Sequence, residues 1–414
     1  MPPGPRESQS RFPALKYRNF RLFWTGGILT NNGRWIRMVV SSWVMFALTK
    51  SAAWVGVSAF AGSIPMLLMN PFSGWASDNW NRRKILLVAN GIQAVTAIVM
   101  ALAWSSGLKS PWPWLGLIAA GGFINGVRLP VWQAFVAECV PRSALPNAIA
   151  LNSTQFNAAR ATGPAVGGLI IGTLGPGWAL LVVAILHLPI AVGLLLIDTD
   201  QLVSGQSSEK KPGRILEGYK GAIRYVLDAP GIRTAILAVS FISAFAMPLT
   251  QQIVVFAEDV FKVSPFWFGI LSSAQGIGGI AVAPVVAIMA GRGVRSRIQL
   301  GSLVGYGAAI VLFALAPKFW VGFLALLLIG GVHLVSATNL NSVVQLQVDD
   351  EVRGSVMALY LMGVLGIMPF ANLLMGTLIS ILGPRPVGAV AGLLLAVGGV
   401  FLYTTGRLFH LDDD

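Results

Sequence analysis

The chain has 414 residues, of which 55% are hydrophobic and only 11% are charged. Because soluble globular proteins carry about 25% charged residues, this composition excludes an ordinary water-soluble domain and predicts a polytopic α-helical membrane protein. The net charge of +13 is spread over short basic blocks between apolar runs. That placement is typical of a positive-inside topology and argues against nucleic-acid binding.

Apolar runs of about 20 residues, enough to cross a ~30 Å hydrocarbon core, recur along the whole chain. They predict an all-α integral membrane fold with twelve transmembrane helices. The first six lie near residues 22–47, 53–77, 84–105, 113–137, 148–173 and 178–197. The second six lie near residues 234–257, 265–290, 298–316, 319–347, 355–381 and 386–406.

The longest connection divides these helices into six and six. The predicted organisation is a cytoplasmic basic tail (1–21), a six-helix bundle (22–197), a cytoplasmic linker (198–233), a second six-helix bundle (234–406) and a cytoplasmic tail (407–414). The linker begins as a polar segment and ends in a predicted amphipathic helix. Its apolar residues at helical spacing are Ile215, Leu216, Tyr219, Ile223 and Val226.

The Lys and Arg residues between the spans predict the orientation. With both termini cytoplasmic, twenty of them fall on the cytoplasmic side and five on the other, which is the bias of the positive-inside rule. We expect no cleavable signal peptide, because the basic tail runs directly into a full-length span. The prediction is a multi-pass protein of the cytoplasmic (inner) membrane.

The reactive side chains exclude several classes of protein. A single cysteine, Cys139, rules out an internal disulfide, and no cluster of metal-ligand residues is present, so we expect neither metal nor cofactor. The spans carry no His/Asp/Glu or Ser–base constellation for catalysis and no repeated ring of filter residues. Neither an enzyme nor a channel is expected.

The first notable motif, GWASDNWNRRK from Gly74 to Lys84, joins the second and third spans. A small residue, an acid four positions later and a basic cluster suit a tight cytoplasmic turn. Asp78 is predicted to accept hydrogen bonds from a neighbouring helix N-terminus. Arg82 and Arg83 either hold the loop at the anionic membrane face or act only as a topology signal.

The second motif, GPAVGG from Gly163 to Gly168, lies in the fifth span. A proline among three glycines predicts a kinked helix whose bare backbone allows close helix contact. A glycine-rich partner, QGIGGIA, occurs in the eighth span at residues 275–281. From the residues alone, a gating role and ordinary small-residue packing are both open.

The twelve-span plan with these two motifs resembles the major facilitator superfamily, and GPAVGG is similar to the motif of its exporters and antiporters. The stretches RNFRLFWTGG, WASDNWNRRKILL, LPVWQAFVAECVPRSALPNAIALN and ARATGPAVGG resemble the branch of enterobactin exporters and macrolide efflux pumps, across about residues 18–406. The chain departs from the pattern at Asn79, at Asn81 and in AGRGVRSR, the acid-free second copy of the first motif.

The resemblance implies two pseudo-symmetric six-helix bundles working by alternating access, most simply as a monomer in the lipid bilayer. It also implies gating roles for residues of both motifs and for a neighbouring arginine. The gating candidates are Gly74, Asp78, Arg82, Arg83, Arg160, Gly163, Pro164, Gly167 and Gly168.

Four arginines lie deep within predicted spans: Arg34, Arg37, Arg128 and Arg160. A charge at the bilayer centre costs at least ~2.5–3.5 kcal/mol, so it normally faces protein, water or a counter-ion. All sixteen acids, however, fall in loops, tails or near span ends. Three of the arginines follow an asparagine by three residues, which places both side chains on one helix face. The pairs are Asn31/Arg34, Asn125/Arg128 and Asn157/Arg160.

The resemblance implies that the first, fourth, seventh and tenth spans line a central cavity. We therefore predict a cavity that is electropositive on its N-terminal half and binds an anion through guanidinium hydrogen bonds. The alternative is structural, with each arginine satisfied by helix carbonyls or by its asparagine. The candidate substrate-binding residues are Arg34, Arg37, Arg128, Asn31, Trp35, Asn125, Gln251, Asn339 and Gln345.

The predicted function is secondary active export of small organic, amphipathic, anionic molecules of a siderophore-like kind. Proton antiport requires a titrating group in the membrane, for which His187 and His333 are the candidates. An anion can also leave a negative cytoplasm without protons, since the potential supplies about 2.3 kcal/mol per charge per 100 mV. The alternatives are a multidrug or macrolide pump of broad specificity and, less consistent with GPAVGG, a nutrient importer.

Overall fold

The computed structural model describes residues 12–203, 215–289, 294–349 and 352–413, and these residues are helical apart from short connections. The first bundle contains helices α1 to α6. Their bounds are Arg18–Thr49, Ala52–Asn79, Arg82–Ser105, Pro111–Glu138, Leu145–Leu174 and Pro176–Leu196. The second bundle contains α7 to α12. Their bounds are Pro230–Gln251, Pro265–Met289, Arg295–Leu315, Phe319–Gln347, Arg353–Leu382 and Pro384–Thr404.

The predicted spans agree with these helices to within a few residues at each end. By length and hydropathy, ten of the described helices are able to cross a membrane. The two that fall short are α1 and α5, which carry three of the four arginines that lie deep within the spans, with their asparagines. Those polar side chains lower the mean hydropathy, yet both helices, with 32 and 30 residues, are long enough to span a bilayer.

Three helices are interrupted, and a proline follows each interruption. The second pieces of α6, α7 and α11 begin with Leu188-Pro189, Met247-Pro248 and Met368-Pro369. Proline lacks the N–H needed for the helical ladder and clashes with the preceding turn, so each helix breaks there. A short helix, Ile253–Val255, and a π-helical turn, Phe256–Val260, extend α7 beyond its span.

The two bundles repeat the same pairing of helices. In the first, α2 packs on α4, α3 on α6 and α1 on α5; in the second, α8 packs on α10, α9 on α12 and α7 on α11. Adding six to the helix numbers of each pair in the first bundle gives the corresponding pair in the second. This confirms the prediction of two pseudo-symmetric six-helix bundles.

The predicted linker helix is present as Ile215–Asp228 and packs on α7 and α11 of the second bundle. Tyr225 Oη donates to the Gln347 carbonyl at 3.4 Å, and Ala222 and Val226 are buried. Ile223 is 47% exposed, so it lies outside the buried face that the sequence pattern predicted for it. The predicted contacts of Ile215, Leu216 and Tyr219, like residues 1–11 of the predicted tail and 204–214 of the linker, lie outside the described part.

The bundles meet through α2 with α11 and through α5 with α8. At the end of the molecule opposite the termini, here called the far end, Lys50 Nζ pairs with Glu258 Oε2 at 3.2 Å. Beside this ion pair, the backbone N–H of Ala53 donates to Ser380 Oγ at 2.8 Å. The hydrogen bonds and the ion pair described between the bundles lie at this far end or at mid-height. The molecule is therefore closed at the far end. At the end that carries the termini, Gly74 of α2 has open space around it and Trp75 is 51% exposed, so the bundles are separated at this end around α2.

Candidate functional site

A cavity of about 200 Å³ lies at mid-height between the bundles. Most of its wall comes from α1, α2 and α4, and the second bundle contributes Gln251, Met368 and Asn372. It brings together five of the nine predicted substrate-binding residues from three helices. These are Arg34, Trp35, Arg37, Asn125 and Gln251.

Arg37 is fixed in this cavity by the neighbouring helices α3 and α4. Its Nη1 donates to Gln93 Oε1, and Gln93 Nε2 in turn donates to the carbonyl of Gly121 at 3.0 Å. A Cβ at Gly121 would lie 2.6 Å from Arg37 Nη1, so the glycine leaves the space that the guanidinium occupies. Neither Gln93 nor Gly121 was identified from the sequence.

Arg34 has a different environment. Its Cζ lies 5.4 Å from the centre of the Phe156 ring of α5, a cation–π contact. Within the described residues its guanidinium has no hydrogen bond and no ion pair, and no acidic side chain lines the cavity. Arg34 therefore presents an un-neutralised charge with free donors to the cavity.

Arg128 lies behind the cavity wall and is 3% exposed. Its Nε donates to Asn125 Oδ1 over a long 3.4 Å, and its Cζ stands 5.2 Å from the Trp132 ring. It is close enough to Arg34 and Arg37 for mutual repulsion. The guanidinium of Arg128 thus adds positive potential to the cavity, while Asn125 supplies the polar surface.

The other two asparagine–arginine pairs are not formed. Asn157 donates to the carbonyl of Ser153 at 3.0 Å, one turn earlier in its own helix, and not to Arg160. Asn31 is buried, and its side chain makes no hydrogen bond to any described residue. A shared helix face makes such a contact available, but a backbone carbonyl four residues earlier competes for the same amide.

Arg160 spans the two bundles. Its Nη2 donates to Gln275 Oε1 of α8 at 3.2 Å, and its Cζ lies 5.8 Å from the Trp35 ring of α1. Trp35 Nε1 is buried without a hydrogen-bond partner in the described structure. Arg160 and Trp35 thus lie together where α1, α5 and α8 meet.

The GPAVGG motif permits close packing on both sides of α5. A Cβ at Gly163 would lie 2.6 Å from Trp35 Cβ, and one at Gly167 would touch Ile36, both in α1. A Cβ at Gly168 would lie 2.6 Å from the Cα of Gly269 in α8. Pro164 stands inside α5, and the next backbone N–H, of Ala165, donates to Ser273 Oγ of α8 at 2.9 Å. The motif therefore places α5 in direct contact with both α1 and the second bundle.

The GWASDNWNRRK segment is organised differently from the sequence-based expectation. Gly74 lies inside α2 with open space around its Cα, and the turn comes only after Asn79. Asp78 pairs with Arg82 at 3.6 Å and accepts no backbone N–H in the described structure. The predicted tight turn is present within the segment, at Trp80 and Asn81 between α2 and α3. The predicted backbone contact of Asp78 is wrong, because its carboxylate pairs with Arg82 instead.

The basic residues of this segment hold the first bundle together. Arg82 binds Glu138 of α4 at 2.5 Å, and Arg83 donates to the carbonyls of Leu194 and Leu195 at the end of α6. Asn81, where the resemblance leads one to expect Gly or Asp, accepts from the Lys84 N–H and so caps α3.

A second cavity, of about 410 Å³, lies in the second bundle between α7, α10 and α11. His333 lines it, and the Nδ1 of this residue is buried without a hydrogen-bond partner in the described structure. His187, the other proton-coupling candidate, is hydrogen-bonded to the Val183 carbonyl at 2.8 Å in the break of α6. Asn339 is hydrogen-bonded to α9 and Gln345 is exposed beside Asn341, so both lie outside the two cavities.

The transmembrane secretion effector family matches this chain over residues 9–413. The chain belongs to that family. Its members are transporters of the major facilitator superfamily. The match confirms the resemblance to that superfamily and the prediction of a multi-pass membrane protein.

Two curated relatives are similar to this chain over nearly its whole length. The multidrug efflux pump Tap of Mycolicibacterium fortuitum is 24% identical and covers 92% of this chain and 94% of its own length. The staphyloferrin A transporter of Staphylococcus aureus is 22% identical, and the match covers 94% of this chain and 96% of the transporter.

Solved structures agree in fold. A point mutant of the nucleoside transporter NupG superposes with a TM-score of 0.76 at 14% identity and covers 94% of this chain and all of its own. A bacterial homologue of the human lysosomal transporter Spinster, in an inward-facing, unoccupied conformation, gives a TM-score of 0.72 at 16% identity over 97% of each chain. The family and the fold are those of transporters.

Proposed function

We propose that this protein is a secondary active exporter of small organic, amphipathic, anionic molecules, which it moves by alternating access. The observation that carries the proposal is the pair of guanidiniums, Arg34 and Arg37, in a cavity whose described wall contains no acid. A charge kept at mid-membrane is costly without a partner, and a carboxylate, catecholate or phosphate supplies one through paired hydrogen bonds. The staphyloferrin A transporter among the relatives supports a siderophore-like cargo.

The orientation follows from charge and shape together. With twenty basic residues on the termini side against five on the other, the termini belong to the cytoplasm. The separated end of the bundles then faces the cytoplasm, and the closed far end faces outward. Cargo enters from the cytoplasmic side, as an exporter requires, and we propose that the protein acts as a monomer in the inner membrane.

The energy for export has two possible sources, and a vesicle assay separates them. An anion leaving a negative cytoplasm gains about 2.3 kcal/mol per charge per 100 mV. Proton antiport needs a group that titrates at the cavity, and His333 is the candidate placed in one. If collapsing the pH gradient alone abolishes efflux while the potential is held, the protons drive transport; if only collapsing the potential does so, the charge of the cargo drives it.

Substitution of the cavity arginines tests the anionic cargo. Arg34→Gln and Arg37→Gln are each expected to lower efflux of organic anions at least tenfold, because a charge-assisted hydrogen bond contributes about 1.5–3 kcal/mol. Arg297→Gln, at an exposed site on α9, is the control and should leave efflux unchanged. Efflux of a panel of anions and cations from loaded vesicles is the measurement. Transport of cations alone by the parent protein, unaffected by either cavity variant, would refute the proposal.

A multidrug pump is the second candidate, and one observation favours it. Four methionines line the cavity with the arginines, and flexible methionine surfaces accept varied apolar ligands. They are Met38, Met66, Met100 and Met368. The relative Tap is a multidrug efflux pump. Resistance profiles in a host without other efflux pumps discriminate the two, since un-neutralised arginines repel cationic drugs such as macrolides.

A further inference from the structure

The two cavities lie next to each other along two shared helices. In α7, Met247 lines the second cavity and Gln251 the first; in α11, Val364 lines the second and Met368 the first. A separation of four residues corresponds to about one helical turn, roughly 6 Å along the helix. The two cavities are therefore neighbours, about one helical turn apart along both helices.

The chemistry of the two walls is different. The first cavity contains the guanidiniums of Arg34 and Arg37. The described wall of the second has no Lys, Arg, Asp or Glu; it offers neutral hydrogen-bonding groups together with apolar side chains. The neutral polar residues are His333, Thr338, Asn341, Ser342 and Tyr360.

Size points in the same direction. Sites for small organic ligands usually enclose about 300–1,000 Å³, and the first cavity, at about 200 Å³, is smaller than that range. The second cavity adds about 410 Å³. A ligand that reaches the arginines fills a site of ordinary size only when it occupies both cavities.

Buried polar atoms without partners mark both ends. His333, whose buried Nδ1 has no hydrogen-bond partner in the described structure, is a lining residue of the second cavity. Asn372 lines the first cavity from the second bundle, and neither its Nδ2 nor its Oδ1 is hydrogen-bonded in the described structure. Asn372 is fully buried. Buried polar groups in native proteins are nearly always hydrogen-bonded, so a ligand with matching groups is the partner that each of them lacks.

We infer that the cargo is two-ended, with an anionic end held by Arg34 and Arg37 and a neutral, hydrogen-bonding end held in the second cavity against His333 and Asn341. This inference rests on the proposed anion export and specifies its substrate class. It predicts that simple organic anions bind weakly and that a neutral polar extension of the same anion strengthens binding.

Two probes with the same charge test the inference. Glutarate has two carboxylates and no extension, whereas tricarballylate mono-tyramide has two carboxylates joined through a neutral amide to a phenol. Titration calorimetry on the purified full chain in nanodiscs gives the affinity of each. The tyramide is expected to bind at least tenfold more tightly than glutarate.

Variants of the second cavity identify where the extension binds. His333→Phe and Thr338→Val keep the side chains similar in size and remove hydrogen-bonding groups. Each is expected to lower the affinity for the tyramide about tenfold and to leave the affinity for glutarate unchanged. His410→Phe, at a histidine beyond α12 that lines neither cavity, is the matched control. Thermal unfolding of each variant verifies that it is folded.

The outcomes separate this inference from the proposed function. If Arg34→Gln weakens both probes but the second-cavity variants alter neither, anion binding stands and the two-ended cargo is overturned. Equal affinity of the two probes, or no binding of the tyramide at millimolar concentration, overturns it as well. If the arginine variants also leave the affinity for both probes unchanged, both the two-ended cargo and the proposed function are overturned.

Discussion

Arg34 and Arg37 are three residues apart on one helix, yet their different surroundings indicate different roles. Arg37 is hydrogen-bonded to Gln93 and lies against Gly121, so its position is set by α3 and α4. Within the described residues, Arg34 has the Phe156 ring as its cation–π partner and keeps its donors free of hydrogen bonds. Of the two, Arg37 defines the shape of the cavity and Arg34 is the group most available to cargo.

This difference predicts opposite effects on stability. Gln93→Leu leaves the Arg37 guanidinium without its acceptor and is expected to lower the free energy of unfolding by about 1–3 kcal/mol. Arg34→Gln removes an un-neutralised charge and is expected to leave thermal stability unchanged or to raise it. Thermal unfolding in detergent measures both, with Gln133→Leu at an exposed position of α4 as control. A Gln93 variant as stable as the parent would contradict the assigned role of Arg37.

The single cysteine provides a second residue-scale prediction. Burial raises the pKa of the Cys139 thiol, and the neighbouring Glu138 carboxylate raises it further. Because the thiolate is the reactive form, the folded protein is expected to resist N-ethylmaleimide at neutral pH and to react only when denatured. Mass spectrometry of labelled samples reports this directly. Rapid labelling of the native chain would show that Cys139 is accessible.

At the scale of elements, glycines decide how closely helices approach. Gly168 lies where α5 meets α8, and a Cβ there would stand 2.6 Å from Gly269 Cα. Gly74, in the other motif, has nothing within 4 Å of the same added atom. The two motifs therefore differ in this conformation: GPAVGG is engaged between the bundles, while the separated ends leave Gly74 free.

The matched pair Gly168→Ala and Gly74→Ala tests this difference. Gly168→Ala is expected to push α8 from α5 and reduce the population closed at the far end, whereas Gly74→Ala leaves that population unchanged. Spin labels at Lys109→Cys and Lys318→Cys, exposed far-end positions on opposite bundles, report the separation by pulsed electron resonance, and buried Cys139 does not compete for label. Identical distance distributions for Gly168→Ala and the parent would contradict the expectation.

At the scale of the molecule, two bundles with the same internal pairing contact each other mainly through α2–α11 and α5–α8. Closure at one end is then a matter of a few contacts, among them the Lys50–Glu258 ion pair. Its side chains are 66% and 22% exposed, and such pairs contribute at most about 1 kcal/mol. A contact of that size biases an equilibrium without locking it, as alternating access requires.

Glu258→Gln is accordingly expected to reduce the ratio of far-end-closed to far-end-open molecules by up to about fivefold, with the same spin-label pair as the measurement. Asp259→Asn is the comparison: burial raises the pKa of the Asp259 carboxyl and the charge of Lys50 lowers it, but this carboxyl makes no ion pair with the described part of the chain. We expect a larger change in the spin-label distance distribution for Glu258→Gln than for Asp259→Asn. An equal response to the two substitutions would remove the ion pair from the closing mechanism.

Much of the fold was predictable because its determinants are local. Each span is a continuous apolar run, and the helices end close to the predicted residues. The arginines in α1 and α4 were recognisable as unusual from their position alone, and the structure places Arg34, Arg37 and Asn125 at one cavity. Asn339 and Gln345 were grouped with them for their polarity, which carries no information about direction; both point elsewhere.

The sequence by itself determined that this protein lies in a membrane, in two groups of six helices, with positive charge where hydrocarbon is expected, because hydropathy and charge act along the chain. The tertiary structure alone decided what each arginine contacts. Gln93 is 56 residues from Arg37, and Gln275 is 115 residues from Arg160. Contacts over such separations depend on how whole helices pack, so the partners, the second cavity and the closed end emerge only from the assembled bundles.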